Sequence, residues 1–108
     1  MGAAKTEDFT VKDNKIAAYA KALAHPARVA ILQILVKSQS CICGDIVEEL
    51  PLSQSTVSQH LKELKEAGLI KGNIDGAKVC YCINEEEWAV AKSYLTDLFK
   101  SFKGNNCC

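Results

Sequence analysis

Apolar side chains recur along the chain with two different periods. Between Asn14 and Ala24, Ile16, Ala20 and Leu23 fall at i, i+4 and i+7, a helical stripe that the pair His25-Pro26 interrupts. Proline is tolerated in a first turn, so a second helix runs from Pro26 to Lys37 with Val29, Leu32, Leu35 and Val36 on its buried face. Cys41-Ile42-Cys43 alternates as a strand stub does, and Gly44 to Leu50 follows as a short helix with Ile46, Val47 and Leu50 inward. Pro51-Leu52-Ser53 ends it. Gln54 to Ala67 then repeats the helical spacing through Val57, Leu61 and Leu64, with Ser53 as N-cap and Gly68 as C-cap.

The period changes to two after Gly68. Leu69 to Ile74 and Lys78 to Ile83 alternate on either side of an Asp75-Gly76 turn, which predicts a β-hairpin. The last segment, Glu85 to Lys103, is a long helix whose Trp88, Ala91, Leu95, Leu98 and Phe102 form a seam that invites dimerisation. A short helix, a tight turn and a helix with a polar N-terminal half make a helix-turn-helix, and a hairpin directly behind it is a wing. The predicted fold is therefore α+β, mainly α: a winged helix-turn-helix in the order helix, helix, strand, helix, helix, strand, strand, helix. Residues 1–13 read as an N-terminal arm, 14–103 as the folded domain and 104–108 as a Cys-Cys tail.

Composition narrows the class without deciding it. The 108 residues suffice for one domain, and 48% hydrophobic with 24% charged residues describes an ordinary folded chain. No apolar run is long enough to span a bilayer and MGAAKTEDF has no signal-peptide core, so a soluble, cytoplasmic protein without a membrane partner is expected. In such a reducing compartment six cysteines point to metal or redox chemistry rather than a disulfide framework.

Net charge is zero, with 13 basic and 13 acidic residues, so affinity for nucleic acid must come from their distribution. Lys62, Lys65, Lys71 and Lys78 flank the polar helix and the hairpin, while Glu7-Asp8 and Glu85-Glu86-Glu87 lie away from them. Gln54 and Gln59 suit bidentate contacts to adenine, and Ser55, Thr56 and Ser58 suit phosphate or base contacts. Lys62 and Lys78 are candidate phosphate contacts, and His60 joins them, against the plainer reading of a solvated surface histidine.

From ALAHPARVAILQIL through LSQSTVSQHLKELKEAGLI to GAKVCYCI, the chain resembles the ArsR/SmtB family of winged-helix, metal- or metalloid-responsive repressors. That resemblance implies a homodimer joined through its first and last helices and bound to palindromic double-stranded operator DNA, which it leaves when a soft ion or thiol reagent binds. By matching positions, Gln54 to Lys62 is the DNA-reading segment and Asn73 to Lys78 the wing tip. The family's zinc and nickel sensors use histidine on the last helix, and Glu85 to Lys103 has none. Arsenic-responsive members place cysteines near the short third helix, where this chain has Cys41 and Cys43. They stand one position early, with Val47 in the third cysteine's place.

If Ser40 to Cys43 pairs with Lys78 to Ile83, alternation turns Ile42, Val79, Tyr81 and Ile83 to the core and puts Cys41, Cys43, Cys80 and Cys82 on the other face. Residues i and i+2 are about 6.6 to 6.8 Å apart and opposed cross-strand residues about 4.5 to 5.5 Å, so ligation or oxidation is easier across strands. The expectation is a repressor, not an enzyme and without a small organic substrate. Trivalent arsenic or antimony is held by Cys41 and Cys43 with Cys80 or Cys82, supplemented by Cys107 and Cys108. Three alternatives stay open: a redox or reactive-sulfur dithiol switch, a structural zinc cluster of the same four strand cysteines, and cysteines that merely pack as apolar residues.

Overall fold

The computed structural model describes residues 8–43, 50–75 and 78–105, with the side chains of 74, 75 and 78 left aside. In chain order the elements are α1 (Val11–Ala22), α2 (Pro26–Ser38), β1 (Ile42–Cys43), α3 (Gln54–Glu66), β2 (Ile70–Asp75), β3 (Lys78–Ile83) and α4 (Glu85–Lys100). The three strands form one antiparallel sheet in the order β1-β3-β2. Four helices thus lie among the described residues, and the short helix expected over 44–50 falls almost wholly outside them.

Local chemistry sets most boundaries. α1 starts at Val11, three residues inside the expected arm, because the Thr10 side chain accepts a hydrogen bond from the Asp13 N–H at 3.0 Å and caps the helix. His25 caps α2 by accepting the Ala27 N–H at its Nδ1, 3.0 Å away, with Pro26 in the first turn. At the far end of α3, Gly68 takes φ +86°. Its N–H reaches the Lys65 carbonyl and the Leu69 N–H reaches that of Leu64 at 3.2 Å, a Schellman turn that aims the chain into β2. α4 ends at Lys100, so Phe102 of the expected seam lies beyond the helix.

The core lies between the helices and one face of the sheet. Tyr19, Ile31, Leu35, Val57, Leu64 and Ile70 are fully buried, and Ile42, Tyr81, Ile83 and Trp88 pack against them. Each large buried side chain contributes roughly 1.5–3 kcal/mol. Val79, expected in the core, is 41% exposed: it pairs with Ile74 in the outer half of the hairpin, beyond the packed residues. α1 and α4 pack together, and Glu87 joins them by accepting the Tyr19 hydroxyl and lying 3.6 Å from the Lys15 ammonium. Large apolar side chains remain exposed at the ends of these two helices, at Val11, Leu98 and Phe99, and just outside them at Phe9 and Phe102.

Candidate nucleic-acid interface and thiol ladder

α3 is strongly amphipathic, and its exposed face carries six of the expected contacts: Gln54, Ser55, Thr56, Ser58, Gln59 and Lys62. The Ser53 hydroxyl accepts the Thr56 N–H at 3.3 Å and lies 2.9 Å from the Thr56 hydroxyl, which caps the first turn. Toward the other end, the Gln59 amide donates to Glu63 at 3.4 Å. Lys62 and Lys65 are exposed on α3, and Lys71 is exposed at the base of the hairpin beside Cys82. Lys78 opens β3, and its side chain is outside the described part, as are residues 76 and 77 of the wing tip.

His60 does not belong to that face. It is 8% exposed, its Nδ1 accepts the Arg28 Nε–H at 3.2 Å, and its ring lies 4.4 Å from that of His25. Arg28 also donates to the Lys21 carbonyl at 3.2 Å. Burial, then the neighbouring His25 and Arg28, lower the His60 pKa, against an upward pull from Glu63. The expected DNA contact is therefore corrected to a fastening between α3 and the start of α2.

The strand cysteines come together as rungs of a ladder. Register pairs Ile42 with Tyr81 and Cys43 with Cys80, and the latter two are joined by a disulfide with Cα atoms 4.0 Å apart. One step along, Cys41 hydrogen-bonds Cys82, and both are free thiols, the first exposed and the second half-buried. That hydrogen bond, together with burial, raises the Cys82 pKa, while Lys71, its Cα partner on β2, pulls it down.

The bond joins opposed residues of neighbouring strands, the pairing expected from the sequence, with Cα atoms closer than the expected range of about 4.5 to 5.5 Å. The trio Cys41, Cys43 and Cys80 or Cys82 is not available as three thiols while the disulfide is closed. Among the described residues no group of three or more His, Cys, Asp or Glu side chains is set to hold a metal ion. Cys107 and Cys108 lie outside the described residues. No described helix is long and apolar enough to cross a membrane.

Comparison with known proteins bears on the helix-turn-helix and its fold. The family described as "Bacterial regulatory protein, arsR family" matches residues 25–71. The HTH-type transcriptional regulator YgaV of Escherichia coli K12 is 37% identical over 70 residues, covering 65% of this chain and 71% of that one. The HTH-type transcriptional repressor SmtB of Mycobacterium tuberculosis is 42% identical over 69 residues, 64% of this chain, which spans only 50% of its length. Among solved structures, the homodimeric winged helix-turn-helix DNA-binding domain of a possible ArsR-family transcriptional regulator from Mycobacterium bovis superposes with a TM-score of 0.65 at 22% identity. That match covers 97% of this chain and 98% of the other, and shows the shared fold.

Proposed function

The chain belongs to the arsR family of bacterial regulatory proteins, and on that premise we propose that it is a DNA-binding repressor switched by the cysteine ladder between β1 and β3. The exposed polar face of α3 enters the major groove, and the hairpin flanks it. Two copies join through α1 and α4, whose exposed Val11, Leu98 and Phe99 are then covered, and two-fold symmetry calls for a palindromic operator. Such a repressor works beside chromosomal DNA in the cytoplasm, where a disulfide is characteristically a sensing device rather than a structural one.

The observation that carries the switch is the Cys43–Cys80 bond. It forms when a peroxide, disulfide or persulfide takes two electrons and the two thiols release two protons. Once closed, it ties β1, which follows α2, to β3, the central strand of the sheet and one arm of the wing. The protomers then favour a form whose two reading helices no longer match half-sites about one DNA turn apart.

A second reading has its own support: Cys41 and Cys82 are free thiols on the adjoining rung. With the disulfide reduced, four thiols share one strip of the sheet. Three of them suit trivalent arsenic or antimony, with Cys107 and Cys108 as a supplementary capture site, and all four suit zinc less selectively.

Fluorescence anisotropy of a labelled fragment from the chain's own promoter tests both. The reduced protein binds, and a persulfide or diamide weakens it by about five- to 150-fold, the usual range of allosteric coupling. A Cys43→Ser/Cys80→Ser variant loses the response to oxidant. If arsenite alone releases DNA while oxidants do nothing, the metalloid reading replaces the redox one. A reduced protein with no preference for its promoter removes both.

A further inference from the structure

Gln59 and Glu63 stand one helical turn apart on α3, the first exposed on the polar face and the second half-buried at its edge. The Gln59 amide nitrogen donates to the Glu63 carboxylate at 3.4 Å. A carboxylate only accepts, so the end of the amide beside Glu63 must be its nitrogen. Glu63 also pulls the pKa of the buried His60 upward, so the same carboxylate lies near the fastening of α3 to α2.

The direction of that hydrogen bond decides what Gln59 reads. A glutamine amide carries two N–H donors and one acceptor oxygen. In the major groove adenine offers an acceptor, N7, and a donor, the N6 amine, whereas guanine offers two acceptors, N7 and O6. With both N–H groups free, the amide nitrogen can also turn toward guanine. With one N–H engaged by Glu63, what remains is the edge that carries the oxygen and a single N–H. Glu63 itself has the wrong charge for a phosphate contact.

We propose that Glu63 is a positioning residue for base specificity: by accepting one N–H of Gln59 it leaves one donor and one acceptor for the groove, the pair that matches adenine and rejects guanine. This deepens the repressor reading above and rests on its placing of α3 in the major groove.

The test uses the full chain and a labelled fragment of its own promoter in which each base pair is replaced in turn, read by fluorescence anisotropy. The position at which Gln59→Ala loses its preference is the one Gln59 reads. There the wild type favours adenine over guanine by about five- to 150-fold, the range of one good bidentate contact. Glu63→Ala and Glu63→Gln both bring that ratio toward parity, by up to about tenfold, the scale of ordering one side chain. The first removes the acceptor, and the second can donate as well as accept and so holds either end of the amide. An exposed i, i+4 pair adds little stability, so Tm moves by no more than about 2 °C, and binding to random duplex is not weakened. On a Gln59→Ala background, Glu63→Ala changes the ratio no further.

An adenine-to-guanine ratio that both Glu63 variants leave unchanged overturns the proposal. So does an equal loss from Glu63→Ala with and without Gln59, which would make Glu63 a base contact in its own right. A parallel loss on promoter and random DNA with a lowered Tm would give Glu63 a structural role only, and overturns it too. Promoter preference that survives Gln59→Ala intact removes the positioning role and leaves the repressor reading standing, whereas a wild type without that preference removes both.

Discussion

His60 on the DNA-reading helix accepts the Arg28 Nε–H at its Nδ1, 3.2 Å away, so α3 is fastened to α2 by a nitrogen that must stay unprotonated. Acid undoes this. Burial, His25 and Arg28 hold the folded pKa below the ordinary 6.5, with Glu63 opposing. The unfolded chain therefore takes the proton first as pH falls. Stability from neutral His60 is complete above about pH 6.5 and is lost as the pH drops from there toward the lower folded value. Thermal melts between pH 8 and pH 5 should show a steeper loss for the wild type than for His60→Gln, which cannot titrate. Equal slopes would mean that His60 is not what responds.

Reducing the disulfide should lower stability. The bridge spans a sequence separation of 37, and loop-closure entropy for that length is about 4 kcal/mol, an upper figure because the reduced unfolded chain keeps some structure. Denaturant titrations of oxidised and reduced protein measure the difference directly. Cys43→Ser should behave like the reduced wild type and be indifferent to reductant.

Gly68 and Tyr19 meet at one carboxylate. A Cβ on Gly68 would lie 3.0 Å from the Glu87 Cγ, and the residue's φ of +86° strains any other side chain. Gly68→Ala should therefore cost about 1–2 kcal/mol, and near this chain length each kcal/mol lowers Tm by about 4–8 °C. Tyr19→Phe removes the hydroxyl that donates to Glu87 and should cost about 1 kcal/mol. Burial and Glu87 push the Tyr19 pKa up to about 12, so its contribution is full below about pH 10 and lost as pH rises toward 12. In an absorbance titration the phenol that ionises near pH 12 should be missing from Tyr19→Phe.

Lysines on the reading face should act through phosphates. Lys62→Ala and Lys65→Ala are expected to weaken binding to specific and random duplexes alike, each lowering the slope of log K against log salt by about 1. Gln59→Ala should instead cost about 1–3 kcal/mol on the promoter fragment and little on random DNA. A salt slope unchanged by both lysine variants would place the phosphate contacts elsewhere.

Much of this was legible in the residues, and the misses have physical causes. Ser53, Gly68, the hairpin and the thiol-bearing face follow from capping, positive φ and alternation, all local effects. His60 was readable too: with Val57, Leu61 and Leu64 it completes an i, i+3, i+4, i+7 stripe, so spacing already placed it inward although its polarity suggested the surface. Thr10 and Asp13 likewise carry a capping signal for α1, although no apolar stripe begins there. The Arg28 and Glu87 contacts join residues 32 and 68 positions from their partners, and no local pattern encodes them.

The Cys43–Cys80 bond encloses α3 and β2 within one covalent circuit, leaving α1, α2 and α4 outside it. A protease that nicks the chain at the exposed Ser53 would thus leave two fragments travelling as one until a reductant parts them. In oxidised form, the groove-reading segment is held by topology as well as by packing, and it stays shackled to its scaffold even where the surrounding helices fray.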